Sequence, residues 1–173
     1  MNFRSIFGTV GQFLLLLAIQ ILFLKNLALF GLAFCFIYLL ALLLLPVSIR
    51  SIPLMIIAFM MGISVDVFYE TIGMHAAAAT FLAFLRNFWL KIISPSGGYD
   101  EGDIPSIRSQ STSWFVTYAF PLLFAFCLVL FSLDFWGTGN WLNVLNKSFF
   151  SSIFTLILAI IVQLLFFPRR RVI

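Results

Sequence analysis

Residues 61–90 read MGISVDVFYETIGMHAAAATFLAFLRNFWL and contain two apolar runs separated by a short polar turn. In the first run, Gly62, Asp66 and Glu70 recur every four residues, so they share one helix face. The second run has a face of small residues, which let helix backbones approach closely. These residues are Ala76, Ala79, Thr80 and Ala83. With Gly73 supplying a turn conformation that other residues avoid, the stretch predicts a close antiparallel helical hairpin.

The same hairpin carries ionisable side chains that need partners in an apolar chain. Asp66 is expected about 6 Å below the turn and Arg86 about 18 Å below it, at about 1.5 Å per helical residue. This offset of about 12 Å argues against a direct pair, so we expect each side chain to have its own partner. For Asp66 and Glu70, a hydrogen-bonding cap of the turn and a functional site both stay open. For Arg86, a buried structural contact is favoured over snorkelling, because helical side chains lean toward the helix N-terminus.

The single histidine, His75, stands at the start of the second run. No serine or cysteine beside it forms a nucleophile motif, and catalysis usually needs at least two converging polar groups. We expect His75 to form hydrogen bonds at a helix end, and we predict no enzymatic activity, no catalytic residue, no cofactor and no metal site. The acidic loop with Asp100, Glu101 and Asp103 is interpreted as solvated rather than metal-binding.

Composition indicates that lipid surrounds most of the chain. Of 173 residues, 63% are hydrophobic and 9% are charged, against about 25% charged residues in soluble domains. Six continuously apolar segments approach the roughly 20 residues of a membrane-spanning helix, and they lack the alternation of barrel strands. They cover residues 9–24, 27–45, 53–69, 74–93, 114–133 and 149–167. The sequence therefore predicts an all-α integral membrane protein, a single transmembrane domain over residues 1–173 with six transmembrane helices.

Basic residues predict the orientation of these helices. With both termini in the cytoplasm, the cytoplasmic side receives Arg4, Arg50, Lys91, Arg108, Arg169, Arg170 and Arg171. The opposite side receives only Lys25 and Lys147. Because cytoplasmic loops carry an excess of Lys and Arg, the net charge of +4 is interpreted as a topology signal. No nucleic-acid partner is predicted.

The hairpin resembles the MreD family of bacterial rod-shape-determining membrane proteins, particularly its Bacteroidetes forms. The resemblance rests on G-x-x-x-D from Gly62 to Asp66, on G-x-H from Gly73 to His75, and on the alanine-rich run to Arg86. Further matching positions are Tyr99–Asp100 and Trp114–Phe115. Over its whole length, the chain also resembles this family in its size, its predicted number of spans and its predicted cytoplasmic ends.

This resemblance implies a non-catalytic scaffold in the bacterial cell inner membrane, within the cell-elongation (rod) complex that builds lateral peptidoglycan and sets cell shape. The implied partner is an MreC-like bitopic membrane protein, which links the scaffold indirectly to MreB, a SEDS glycan polymerase and its penicillin-binding protein. The implied fold is similar to the substrate-binding subunit of energy-coupling-factor transporters. The candidate partner-binding or structural motif consists of Gly62, Asp66, Glu70, Gly73, His75 and Arg86.

Two alternatives stay open. A transporter with the same fold would use the chain as a vitamin-binding or other small-molecule-binding subunit. Such subunits dock through alanines four apart on the first span, whereas this span has Gly8 and Gly11 followed by leucines. A lipid-handling protein would place Arg86 at a lipid headgroup. Membrane lipids are in any case predicted partners of the basic C-terminal tail.

Overall fold

The computed structural model of the chain is largely helical. It describes residues 3–24, 28–29, 31–95, 97–100, 102–137 and 139–166. Helix α1 (Phe3–Ile19) continues as a π-helical turn (Gln20–Leu24), and strands β1 (Ala28–Leu29) and β2 (Ala33–Phe34) form a two-residue antiparallel pair. The other helices are α2 (Leu39–Leu43), α3 (Ser51–Tyr69), α4 (Met74–Ile92), α5 (Thr112–Asp134) and α6 (Trp141–Phe166). The prediction of a mainly helical chain is confirmed.

Among the described residues, three helices are long and apolar enough to cross a membrane: α3, α5 and Trp141–Leu165 of α6. The apolar part of α1, Val10–Leu24, is shorter, and α4 is less apolar because it includes Arg86 and Lys91. The bounds of α3, α4 and α5 agree with the predicted segments, whereas α6 begins at Trp141 instead of near residue 149. These helices are compatible with a membrane protein.

The prediction of a continuous second transmembrane helix over residues 27–45 is wrong. Of its described part, only Leu39–Leu43 are α-helical, after β2 and a stretch without regular structure. Every residue from Cys35 to Leu45 is buried, so this apolar run forms protein core instead of a lipid-facing surface. A membrane tolerates irregular backbone only where protein or a water-filled cavity surrounds it, and burial within the helices meets that condition.

This interior segment, residues 33–45, lies along α5 and runs antiparallel to it. Its first residues meet the C-terminal half of α5, where the ring centroids of Phe34 and Phe131 are 5.7 Å apart. Its last residues meet the N-terminal half, where the Tyr118 hydroxyl donates to the Leu43 carbonyl oxygen at 2.9 Å. The segment therefore passes along the bundle without forming a continuous helix.

The long helices pack in chain order, α3 against α4, α4 against α5, and α5 against α6. Inside α5, Pro121 has no N–H, so the Thr117 carbonyl lacks the helical donor it would otherwise have. The Trp89 indole N–H of α4 donates to that carbonyl at 3.1 Å. The neighbouring helix thus supplies the hydrogen bond that the proline removes, which keeps the α5 backbone satisfied in an apolar setting.

The bundle has a basic end, which we define by Arg50, Lys91 and Arg108. These residues stand at the start of α3, the end of α4 and just before α5. The Asn87 side-chain amide holds the first two elements together by donating to the Ile49 carbonyl at 3.1 Å. The loop between α4 and α5 adds Asp100 and Asp103 at the same end, and the cytoplasmic orientation of this end stays a prediction. Lys25 and Arg169 to Arg171 lie outside the described residues.

The opposite, or turn, end holds the α3–α4 turn and the C-terminus of α5. Helix α1 finishes there, since the Gln20 side-chain amide donates to the Tyr69 hydroxyl at 2.7 Å. Helix α6 runs toward the basic end, because the Gln163 side-chain oxygen accepts from the Ile107 N–H at 3.0 Å. The beginning of α1 and the end of α6 therefore both point away from the turn end.

Candidate functional site

The α3–α4 hairpin is held by direct backbone contact at Gly62. A Cβ atom at this position would lie 2.6 Å from the Ala76 nitrogen and 2.7 Å from the His75 carbonyl oxygen. Those distances are too short for any side chain, so glycine is what permits this approach. The facing residues Ala76, Ala79 and Ala83 are buried, and Thr80 is partly buried. The predicted close hairpin is confirmed.

Asp66 caps the first turn of α4 from the neighbouring helix. Its Oδ1 accepts from the His75 N–H at 3.0 Å, and its Oδ2 accepts from the Ala76 N–H at 3.0 Å. The Thr71 hydroxyl also donates to Oδ1. These amides are among those that a helix cannot satisfy at its own N-terminus. Of the two roles left open for Asp66, the structure supports the cap.

The backbone conformations of Glu70 and Gly73 close the turn. Glu70 ends α3 in the left-handed region at φ 57°, with its N–H bonded to the Asp66 carbonyl, and its side chain is exposed. Gly73 precedes α4 at φ 75°, a conformation that costs glycine little. The predicted role of Gly73 is confirmed, and Glu70 contributes to the turn through its backbone.

His75 is a buried member of this turn cluster, with 3% of its surface exposed. Its Nδ1 lies 3.0 Å from Asp66 Oδ1 and 3.1 Å from the Thr71 hydroxyl. Its ring packs against Tyr69 at a centroid distance of 5.2 Å and against Phe36 at 5.8 Å. The prediction of a hydrogen-bonding histidine at a helix end is confirmed.

Arg86 is fully buried, at 0% exposure, and it binds the interior segment. Its Nε donates to the Tyr118 hydroxyl at 2.7 Å, and a terminal nitrogen donates to the Leu45 carbonyl, with a longer contact of 3.5 Å to the Leu43 carbonyl. A guanidinium group can serve several acceptors at once because it carries five N–H donors. The predicted buried contact is confirmed, and so is the expectation that Arg86 does not pair with Asp66. Complete burial excludes Arg86 from direct contact with a lipid headgroup in this conformation.

Gln20 holds the other half of the interior segment, a role that the sequence analysis missed. Its amide nitrogen donates to the Cys35 carbonyl at 2.7 Å, and its oxygen accepts from the Ile37 N–H at 2.8 Å. Gln20 begins the π-helical turn at the end of α1, and such turns often occur where a side chain has a special task. The available signal was a polar amide within an otherwise apolar run.

Two hydroxyl groups of α6 complete the support of this segment, and they were also missed. Ser151 accepts from the Phe34 N–H at 2.9 Å, and Thr155 accepts from the Phe36 N–H at 3.1 Å. Both residues are buried. Polar side chains on one face of an apolar helix signal interhelical hydrogen bonding, but the sequence does not specify that their partner is irregular backbone.

Eight of the polar residues described above form two clusters that bond to the protein's own fold, while the buried residues Ser148, Ser152 and Gln163 belong to neither cluster. The turn cluster consists of Asp66, Thr71 and His75, and the segment-holding cluster consists of Gln20, Arg86, Tyr118, Ser151 and Thr155. Within the described ranges, no three His, Cys, Asp or Glu residues are arranged to hold a metal ion. In the loop before α5, Asp103 accepts from the Asp100 N–H at 3.1 Å, and Glu101 lies outside the described residues. Compared with protein-family models, curated proteins and solved structures, the chain gives no match.

Proposed function

We propose that the chain is a non-catalytic, multi-pass scaffold of the bacterial inner membrane that binds an MreC-like bitopic protein in the cell-elongation complex. The observation that carries this proposal is that ionisable side chains of the hairpin are buried in contact with the fold, while the exposed surface of its helices is mainly apolar. The buried ionisable side chains Asp66, His75 and Arg86 contact the protein's own fold, while large apolar side chains cover the outside of α3 and α4. Such a surface suits packing against lipid or another helix better than chemistry.

The motif that resembles the MreD family supports the proposal through its structural roles. Gly62 allows the close helix contact, Asp66 caps α4, Gly73 takes a left-handed conformation, and His75 bonds to Asp66. Each position thus has a physical reason for its residue type. Because these residues are mostly buried, the motif would shape the hairpin, and a partner would meet the exposed residues around it.

The proposed topology has six crossings with both termini in the cytoplasm. Helices α3, α5 and α6 supply three crossings, α1 and α4 supply two, and the interior segment makes the remaining crossing inside the bundle. The basic end would face the cytoplasm, as Lys and Arg usually do. Support comes from Gln20 and Gln163, whose contacts orient α1 and α6 so that both termini lead toward the basic end.

The partner would pack on the exposed stripe of α3. This stripe recurs at helical spacing, so its side chains form one continuous face. Its members are Ile52, Ile56, Phe59, Ile63 and Val67. Helix packing in lipid rests on close van der Waals contact and on hydrogen bonds worth about 1 kcal/mol each.

Site-specific photocrosslinking tests this function. The full chain, co-expressed with the MreC homologue of the same genome, would carry a photoreactive phenylalanine at Phe59 or at Ile157, whose side chains are 46% and 50% exposed. We expect co-purification of both proteins and a crosslink from position 59 that is at least several times stronger than that from position 157. Failure to co-purify would refute the scaffold function. Co-purification with a stronger crosslink at 157 would refute the α3 face.

A small-molecule-binding subunit is the second candidate, and one cavity favours it. The cavity, of about 410 Å³, opens at the turn end between α5 and α6 and is lined in part by Trp136, Asn140 and Trp141. Aromatic walls with a few polar groups are typical of ligand pockets. A thermal-shift screen of the detergent-solubilised chain against vitamins separates the candidates. A saturable stabilisation of several degrees, lost in Trp141→Ala, would favour transport.

A further inference from the structure

A groove of about 820 Å³ opens at the basic end, between the start of α3, the last turns of α4 and the loop that precedes α5. Its size falls within the range of sites for small molecules and lipid portions. The residues of its wall that matter for binding are Ile49, Arg50, Ser51, Phe84, Phe88, Lys91 and Tyr99. No member of either polar cluster lines the groove.

One part of the groove is cationic. Arg50 and Lys91 are exposed, and neither has an ion-pair partner among the residues that the structure describes. Beside them, Ser51 Oγ accepts from the Asn87 amide at 3.0 Å, so its own O–H stays available as a donor. Two cations and neutral donors at one rim attract an anionic oxygen group, and guanidinium in particular suits phosphate geometry.

The Tyr99 phenol at this rim is uncharged at physiological pH. Burial raises the pKa of the Tyr99 phenol above its ordinary value, and its hydroxyl donates to the Ile93 carbonyl at 3.3 Å. Tyr99 therefore adds no negative charge that would offset Arg50 and Lys91. The described carboxylates of the same loop, Asp100 and Asp103, do not line the groove, and neither forms an ion pair with Arg50 or Lys91. The described lining of the groove therefore carries two cations and no anion, which suits an anionic ligand.

The other part of the groove is apolar. Phe84 and Phe88, one helical turn apart on α4, are 56% and 63% exposed. Phe84, Phe88 and Lys91 share one face of α4 because they are spaced four and three residues apart. Ile49 and Leu85 continue the apolar wall. A ligand that fits both parts has an anionic head and a hydrocarbon body, which is the chemistry of an anionic phospholipid.

We infer that this groove binds one anionic phospholipid of the cytoplasmic leaflet, with its phosphate at Arg50 and Lys91 and its acyl chains along Phe84 and Phe88. The inference rests on the proposed membrane orientation, in which the basic end lies at the cytoplasmic surface. Anionic lipids are attracted there to basic residues with a free energy of about 1 kcal/mol per residue. A free phosphate would use the cations and leave the phenylalanine wall uncovered.

Native mass spectrometry of the full chain in detergent tests the site. The probe is an equimolar mixture of phosphatidylglycerol and phosphatidylcholine with identical acyl chains. We expect the unmodified chain to retain phosphatidylglycerol preferentially, and Arg50→Gln and Lys91→Gln each to lower this preference about five-fold, equivalent to about 1 kcal/mol. Arg108→Gln is the matched control, since Arg108 is an exposed cation of the same end that does not line the groove. An equal loss in Arg108→Gln, or no preference in the unmodified chain, would refute the site.

A competition experiment shows whether the groove binds the phosphate of a lipid or that of a soluble molecule. Glycerol 3-phosphate carries the anionic group without acyl chains, so we expect millimolar amounts to leave the retained phosphatidylglycerol unchanged. Displacement at those concentrations would show a site for soluble phosphates and would overturn the lipid assignment. Arg50 and Lys91 lie outside the α3 stripe, so their variants do not alter the proposed partner surface. If the MreC homologue co-purifies but the chain shows no preference for phosphatidylglycerol, the lipid site is refuted and the scaffold function is not.

Discussion

The α3–α4 hairpin and the interior segment satisfy their backbones in opposite ways. In the hairpin, regular helices form their own hydrogen bonds, and Gly62 lets the two backbones touch. The interior segment forms its own backbone hydrogen bonds only in and around α2. On either side of α2 its backbone relies on side chains from other elements, chiefly Gln20, Arg86 and Thr155. The hairpin therefore depends on close packing, whereas the parts of the segment that flank α2 depend on hydrogen bonds from other elements.

The largest expected effect comes from removing the main support of the interior segment. Arg86→Ala would leave the Leu45 carbonyl and the Tyr118 hydroxyl short of a donor and would open a cavity in the core. We expect the free energy of unfolding to fall by about 3–5 kcal/mol. Titration with SDS in mixed micelles measures it.

Arg108→Ala serves as the control for this measurement, because Arg108 is exposed and surface changes usually stay within about 0.5 kcal/mol. Arg86→Lys should lie between the two variants, since an ammonium group keeps the charge but cannot reproduce the guanidinium fork. A loss below about 1 kcal/mol in Arg86→Ala would mean that the segment does not depend on this side chain.

The same contrast explains what the sequence could predict. The hairpin was predictable because its signals are local: Gly62 and Asp66 are one helical turn apart, Gly73 ends the connecting turn, and His75 follows in the first turn of α4. Capping, small-residue packing and left-handed glycine are each encoded within a few residues. Even the separate partners of Asp66 and Arg86 followed from the helical rise alone.

The interior segment was not predictable by those means. An apolar run that is buried within a protein has the same composition as one that faces lipid, so residues 27–45 gave a helix signal. The structure of this segment depends on hydrogen bonds between residues that are far apart in the chain. Phe34 and Ser151 are separated by 117 residues, and Phe36 and Thr155 by 119. The signal in the sequence was limited to isolated polar residues within the apolar helices, such as Gln20, which indicate hydrogen-bond partners for buried backbone.

The second prediction tests whether the hairpin depends on backbone approach. Gly62→Ala places a methyl group against the Ala76 backbone, which must move, so we expect a loss of about 2 kcal/mol. Gly11→Ala is the matched control, because Gly11 is helical and a Cβ there meets nothing within 4 Å. It should stabilise by up to about 1 kcal/mol, the usual gain from replacing a helical glycine. Thermal unfolding in detergent would then shift in opposite directions, and equal shifts would refute the packing argument.

The third prediction concerns the cap contributed by Asp66. Asp66→Ala leaves the His75 and Ala76 amides without their acceptors, and caps of this kind contribute about 1–2 kcal/mol. We expect hydrogen exchange at these two amides to accelerate about 5-fold to 30-fold, with the middle of α4 unaffected. Asp134→Ala removes an exposed carboxylate at the same end and should leave both rates unchanged. Unaltered exchange in Asp66→Ala would show that the cap is dispensable.

The smallest effect distinguishes hydrogen bonds to the interior segment from those that stay within one helix. Thr155→Val keeps the shape of the side chain but leaves the buried Phe36 N–H without its acceptor, so we expect a loss of about 1 kcal/mol. In Thr80→Val, the lost hydroxyl only donates back to the Ala76 carbonyl of its own helix at 2.7 Å, an acceptor that already serves the helix, so the loss should be close to zero. Exchange of the Phe36 amide should accelerate only in Thr155→Val. Equal losses of unfolding free energy in the two variants would mean that a distant hydroxyl stabilises the interior segment no more than a local hydroxyl stabilises a regular helix. That result would remove the physical distinction between the two regions.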